Sequence, residues 1–312
     1  MKVGKMTSQS KEGLRQVREN ELDALKERLI RHLPHSFIEL STKVYGSVCL
    51  AKRYGLHCLH PVSILVPVGT RLSCFTVICT RTSDGPHDIQ VFWSLEEHTA
   101  EDVADYLFHT LDLDWSQHLF SISLPDILLP SLQLLENIGG RQVRIQPKLH
   151  GHLYIFQEPA ILSTKQIKLL PEYQVTHLKE DDVSLIWKNW EFNSLDSVNS
   201  MRHSIINFPS VGIRKRIPTD NTGQLQEEAG ETLVSWVRMS KYGYMGSTFT
   251  LPQHRRRGLA STATLILTRQ LQQESLLPAV IIENSNTASI KFHSDLGFER
   301  QCALSMVVLL PA

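Results

Sequence analysis

Leu251 to Thr262 reads LPQHRRRGLAST: three consecutive arginines, a glycine, then a run of small and aliphatic residues. Three readings fit such a stretch: a basic patch for nucleic acid, a solvated turn, or the mouth of an anion site. Its flanks help to separate them. Upstream, GYMGSTFTLP has strand-forming composition and stops at Pro252; downstream, LASTATLILTRQLQQ has the pattern of a strong helix. The first turn of a helix leaves backbone N–H groups unpaired and carries partial positive charge. A phosphate placed there satisfies them, most readily where a glycine such as Gly258 lets it approach the backbone. Arg255, Arg256 and Arg257 would add charge-assisted bonds to its oxygens.

Bulk composition narrows the choice. Lys plus Arg and Asp plus Glu both number 32, so the chain lacks the net basic charge of a nucleic-acid binder. At 312 residues and 42% hydrophobic, it has core enough for two domains of roughly 150 residues each. No run of about 18 apolar residues is present, so no membrane span is expected. The N-terminal segment has no secretory apolar core. Its acidic residues Glu12, Glu19, Glu21, Asp23 and Glu27 count against an acid-poor transit peptide. Leu14, Val17, Leu22, Leu25 and Leu29 fit an amphipathic helix there. The five cysteines form no CxxC and read as reduced intracellular thiols, with no zinc set. His150 and His152, in HGH, lack a third ligand nearby and read as a turn and strand start.

Residue patterning predicts a mixed α/β chain. Strands are expected at Ser41–Arg53, Leu72–Thr82, Asp88–Leu95 and His152–Glu158, with helices after Thr99 and over Leu124–Gly140. Pro159–Pro171 reads as a linker. Beyond it come a strand (Tyr173–Leu178), two helices (Glu180–Trp190 and Ser194–Asn207), and strands at Ser210–Arg214, Glu231–Ser240 and Gly243–Leu251. A helix (Ser261–Gln273), a strand (Ala279–Glu283), a helix (Thr287–Asp295) and a last strand (Ala303–Leu310) complete it. This divides the chain into an N-terminal domain, 1–165, and a C-terminal domain, 166–312. Trp187 and Trp190 fit core or cleft packing, and Trp236 fits the core.

The turn is neither a P-loop nor a GxGxxG dinucleotide fingerprint. Arg255 to Ala260, R-x-x-G-x-A, resembles the pyrophosphate loop of the GNAT superfamily of acyl-CoA N-acyltransferases. Asn286 to Phe298, NTASIKFHSDLGF, resembles that superfamily's N-x-x-[A/S]-x-x-x-Y-x-x-x-G-F segment. Together with KVYGSV (Lys43–Val48, expected in a first strand), LIWKNWEFNSLDS, NFPSVGI and VSWVRMSKYGYMGSTFTLP, these segments resemble the glycine N-acyltransferase family.

That resemblance implies tandem GNAT-like folds: a mixed central sheet flanked by helices, the N-terminal half without a recognisable CoA motif and the C-terminal half carrying the acyl-CoA site. It implies acyl transfer from a CoA thioester to the amino group of a small amino acid, of the glycine or glutamine class. The alternatives are a GNAT acetyltransferase for a protein or polyamine amine, a catalytically weakened CoA-binding regulatory protein, and, disfavoured by charge, a nucleic-acid binder. The implied CoA contacts are Thr248, Phe249, Thr250 and Leu251 for the pantetheine and the thioester oxygen. Arg255, Arg256, Arg257, Gly258, Leu259, Ala260 and Ser261 are implied for the pyrophosphate, and Asn284 and Asn286 for the CoA arm or as turn caps. The cosubstrate is acyl-CoA, with no metal, nucleic acid or membrane as partner. The resemblance favours a mitochondrial location; the acidic N-terminus favours the cytoplasm.

Proton transfer is where the sequence departs from the family pattern. The family commonly places a glutamate after LP, as general base; here Gln253 stands there, an amide that takes no proton at neutral pH. His254 is the adjacent substitute, although neighbours in an extended segment face opposite ways. Direct attack by the free-amine fraction is another route. His293 stands where many GNAT enzymes place a tyrosine acid. It is read either as the general acid for the departing thiolate or as a histidine on a helix face.

Overall fold

The computed structural model describes residues 13–32, 38–68, 76–80, 87–92, 99, 120–125, 143–157, 169–216 and 231–311. Its strands are β1 (Leu14–Gln16), β2 (Val62–Pro67), β3 (Thr76–Thr80), β4 (His87–Phe92), β5 (Phe120–Pro125) and β6 (Val143–Phe156), then β7 (Tyr173–Thr176), β8 (Ser210–Arg216), β9 (Glu231–Met239), β10 (Met245–Thr250), β11 (Ala279–Glu283) and β12 (Phe298–Pro311). The helices are α1 (Leu22–His32), α2 (Ile38–Tyr54), α3 (Val183–Lys188), α4 (Val198–Asn207), α5 (Leu259–Gln273) and α6 (Thr287–Asp295).

All twelve strands join one sheet in the order β1-β2-β3-β4-β5-β12-β6-β11-β10-β9-β8-β7. The order is a near palindrome, the signature of two similar halves. The first half supplies β1–β5 and β6; the second supplies β7–β11 and β12. Each half's last strand lies beside the other half's fifth: β12 pairs β5, β6 pairs β11, and the two pair each other antiparallel from Phe298↔Phe156 to Pro311↔Val143. This exchange welds the halves, because separating them would break ladders on both sides of each exchanged strand. Val307 and Val308 point to opposite faces and are both buried, so the sheet is covered on both sides at the join. The expected mixed α/β architecture in two halves is therefore present, with the described residues forming a single sheet.

Several sequence expectations are corrected. Ser41–Arg53 is not a strand but most of α2. Its β-branched residues misled; Val44, Val48 and Ala51 recur at helical spacing and are buried on one face. Gly46, in KVYGSV, sits where α2 crosses the β9–β10 turn. A Cβ there would overlap the Tyr242 carbonyl oxygen and lie 3.0 Å from Gly243 Cα. The close crossing, rather than strand pairing, explains the motif's glycine.

The helix expected from Leu14 begins at Leu22. Leu14–Gln16 pair with β2 instead, and the backbone N–H of Arg18 donates to Glu21 Oε2 (2.9 Å) at the turn between them. The strand expected at His152 begins at Val143, so HGH lies mid-strand. His150 Nδ1 is 2.6 Å from Ser305 Oγ, and His152 Nδ1 is 2.6 Å from Asn284 Oδ1. Leu124 and Pro125 end β5, while the rest of the helix expected to Gly140, the helix after Thr99 and most of the 159–171 linker lie outside the described residues. Among the described residues, no helix is long and apolar enough to cross a membrane.

Candidate active site

The second half opens where the first stays closed. Its parallel pair β10/β11 meets only at Met245↔Val280, whereas the equivalent pair β4/β5 is held from His87↔Phe120 to Ile89↔Ile122. Past Met245, β10 leans toward β9, pairing Phe249↔Trp236 and Thr250↔Ser235. Between Gly246 and Phe249 its register shifts, and Ser247 takes the left-handed region at φ 54°. This is a β-bulge, which bends a strand and leaves residues out of the ladder. The splay opens a cavity of about 340 Å³, lined on one side by residues 246–249 and on the other by residues 280–283.

One end of this region carries the helix start read from the sequence. Pro252–His254 form a single 3-10 turn, Arg256 is left-handed at φ 62°, and Gly258 at φ 74° is the N-cap of α5. The first bond of the helix runs from Thr262 N–H to the Gly258 carbonyl at 3.0 Å. The N–H groups of Leu259, Ala260 and Ser261 precede that first bond, so the helix start presents donors at the positive end of a fifteen-residue helix. A Cβ on Gly258 would meet nothing within 4 Å, so the approach is open.

The three arginines differ. Arg255 Nε donates to the Thr250 carbonyl (3.1 Å), and its guanidinium lies 5.4 Å from the centre of the Phe249 ring. Arg257 donates to Tyr173 Oη (3.0 Å) and approaches Glu172 (3.8 Å). Arg256 has no side-chain partner among the described residues.

The proton-transfer candidates are separated by the fold. Gln253 and His254 are outside the cavity lining. His254 Nδ1 is 2.9 Å from Tyr173 Oη. That oxygen also accepts from Arg257, so His254, Tyr173 and Arg257 form one hydrogen-bonded chain. Partial burial, with Lys215 and Arg257 nearby, holds His254 below the ordinary histidine range.

His293 does line the cavity, from α6, and is 4% exposed. Its Nδ1 lies 2.9 Å from the Ser289 carbonyl. A carbonyl only accepts, so Nδ1 carries the proton and Nε2 is bare; Nε2 is buried with no partner among the described residues. Burial pushes the imidazole down to about 4, against the Ser289 hydrogen bond. In this state His293 presents a lone pair, not the proton an acid needs.

Of the residues expected on β10, Thr248 and Phe249 line the cavity and Thr250 and Leu251 do not. The Leu251 N–H is spent on the Val234 carbonyl (2.9 Å), and the Phe249 carbonyl accepts from Ser235 Oγ (3.0 Å). Asn286 lines the cavity and caps α6, accepting from the Ser289 N–H at 3.0 Å. Asn284 is bound to β6 through His152 and does not line it.

Sequence reasoning missed the other end of the cavity. There, Arg238 and Lys241 come from β9 and the turn after it, Asp196 from the segment before α4, and Asp88 from β4 of the first half. Lys241 Nζ lies 2.8 Å from Asp196 Oδ1 and 3.5 Å from Asp88 Oδ2, and Tyr242 Oη donates to Asp88 Oδ2 at 2.7 Å. Burial pushes the Asp196 carboxyl up, but the Lys241 and Arg238 charges outweigh it and hold it below its usual range. Trp190 covers Arg238, its ring centre 5.3 Å from the guanidinium carbon. A signal was present: Arg238 and Lys241 are charges inside the apolar run VSWVRMSKYGYMG. Gly246 and Ser247 were legible too, as a glycine interrupting a strand pattern.

Comparison with known proteins agrees with this architecture. Residues 221–307 match the model of the family described as FR47-like protein. A Drosophila melanogaster protein solved by structural genomics is similar over 96% of this chain and 98% of its own, with 17% identity and a TM-score of 0.72. A Pyrococcus horikoshii protein provisionally assigned as an acetyltransferase is similar over 100% of this chain and 93% of its own, with 8% identity and a TM-score of 0.55. A tandem GNAT protein from the clavulanic acid biosynthesis pathway aligns over 95% of this chain and 97% of its own, at 13% identity and a TM-score of 0.47. The architecture is a tandem of two similar halves, with the FR47-like match confined to the second.

Proposed function

We propose that the chain is an acyl-CoA-dependent N-acyltransferase acting on the amine of a small amino acid. One observation carries the reading: the parting of β10 from β11 leads directly to an open helix N-terminus. The opening offers unpaired backbone and a narrow apolar wall to an extended pantetheine arm. The donors of the first turn of α5 and the unpartnered Arg256 side chain suit a pyrophosphate. Gly258 leaves room for it, so the residues present fit the cosubstrate.

The protein's part in the transfer follows from the cavity wall. The bulge at Ser247 and Thr248 turns backbone groups out of the ladder, where they can polarise a carbonyl oxygen. The new bond forms between the amine nitrogen and the acyl carbon as the carbon–sulfur bond breaks. His293 Nε2, bare and facing no other partner, receives the proton released by nitrogen and passes it to the departing sulfur. His293 thus starts the cycle as acceptor, and its acid role belongs to the second step. The resemblance to glycine N-acyltransferases also motivates a mitochondrial location, which subcellular fractionation would test.

The test is thiol release from a panel of acyl-CoAs against glycine, glutamine and unrelated amines. Turnover with an amino acid supports the reading. Measurable CoA binding with no turnover on any pair would replace it with a regulatory role, a reading that Gln253 and the diverted His254 motivate.

A further inference from the structure

Arg238 is the group the transfer chemistry leaves unused. It is 3% exposed, yet it lines the cavity, and its Nε has no hydrogen-bond partner among the described residues. Its one hydrogen bond among the described residues, from Nη1 to the Met239 carbonyl, is long at 3.5 Å. Leaving a buried cation so poorly satisfied is costly unless something else completes it.

The neighbouring carboxylates do not. Asp196 receives Lys241 and the Ser197 N–H (2.9 Å), and Asp88 receives Lys241 and Tyr242. The Asp196 charge favours Arg238, but among the described residues neither carboxylate accepts a hydrogen bond from it, and its Nε remains without an acceptor. The Trp190 ring centre lies 5.3 Å from the guanidinium carbon, so the indole takes one side of the cation. The guanidinium N–H groups are left for a ligand, and arginine can grip a carboxylate through two of them.

We infer that the part of the cavity around Arg238 is a carboxylate-binding site, with Trp190 covering one side of the guanidinium. The identity of the ligand rests on the acyl-transfer reading; the chemistry of the site does not. Across the β9–β10 ladder Arg238 faces Gly246, the residue before the bulge. In an α-amino acid the amine is one carbon from the carboxylate. An acceptor anchored on Arg238 therefore presents its nitrogen to the bulged strand, and an amine without a carboxylate has no such anchor. A carboxylate at the far end of an acyl chain would meet the same donors.

The experiment is calorimetric binding to the full chain. N-acetylglycine is compared with N-acetylglycinamide, and succinyl-CoA with acetyl-CoA, for the wild type, R238K and R238M. The expected result is a roughly tenfold or greater preference for the acid over its amide, or for succinyl-CoA over acetyl-CoA, lost in R238M and partly kept in R238K. The first preference assigns the carboxylate to the acceptor, the second to the acyl chain. Free CoA binding serves as the folding control for the variants. Equal binding of acid and amide by the wild type, with no preference between the two thioesters, overturns the proposal, as does a preference that survives in R238M. If the acid preference holds while CoA does not bind, the carboxylate site stands and the acyl-transfer reading fails.

Discussion

Tyr242 Oη donates a 2.7 Å hydrogen bond to Asp88 Oδ2, joining residues from opposite halves of the chain in one wall of the cavity. The first half has no open strand pair among its described residues, but it completes the second half's site. Tyr242→Phe leaves the Asp88 carboxylate short of a donor in a buried place. It should lower stability by about 1–3 kcal/mol. Acceptor KM should rise more than CoA affinity falls. Thermal melts and steady-state kinetics check both; an unchanged KM would separate the first half from substrate binding.

Gly258 adopts φ 74° with open space around its Cβ position. Gly258→Ala therefore meets backbone strain of about 1–2 kcal/mol without a clash in the free protein. CoA affinity should fall further, because the methyl group stands in the phosphate approach. Calorimetry against CoA and against dephospho-pantetheine separates the two effects: affinity for the pantetheine fragment should be nearly untouched.

His293 yields a pH signature. Its value falls from 6.5 to about 4 on folding. The unfolded chain thus binds the extra proton between those limits, and stability rises with pH across the window. The contribution is fully present above about 6.5 and is lost as pH falls toward 4, roughly 3 kcal/mol in all. His293→Phe should flatten the melting temperature between pH 4 and 6.5 and reduce turnover by about 10²–10⁴-fold. Full turnover in that variant would remove His293 from the chemistry.

Arg214 and Asp182 form a buried ion pair at 2.6 Å, with Arg214 Nε also donating to Thr176 Oγ1 at 3.1 Å. Asp182→Ala strands a buried cation and should cost about 3–5 kcal/mol in denaturant unfolding. The double replacement Asp182→Leu with Arg214→Met should recover most of that loss, since the stranded charge goes with it.

Gly46 and Gly243 meet where α2 crosses the β9–β10 turn, and a Cβ on either would overlap backbone of the other segment. Gly46→Ala gains helix propensity of about 1 kcal/mol but must push α2 outward. The overpacking should outweigh the gain, giving a net loss of about 1–2 kcal/mol and weaker acceptor binding through Tyr242. A raised melting temperature would show that the crossing tolerates the methyl group.

Local signals made much of the second half legible. Ala279–Glu283 and Thr287–Asp295 form as their composition and the Asn286 cap predict, because strand propensity and capping act between near neighbours. Gly258 is left-handed at φ 74°, a conformation that glycine takes without the Cβ cost other residues meet. The mixed α/β class and the anion-ready turn are thus properties of short stretches of chain.

The tertiary structure alone decided the rest. Ser41–Arg53 has strand-like residues but becomes a helix, since its Val44, Val48 and Ala51 face finds a core to bury in. His254 and His293 look equally able to move protons in the sequence; packing turns one to Tyr173 and leaves the other's Nε2 bare beside the cavity. The exchange of β6 and β12 and the meeting of Asp88 with Tyr242 and Lys241 join residues about 150 positions apart. Nothing local encodes such pairings, because their stabilisation exists only once the sheet has brought the two halves together and removed water from between them.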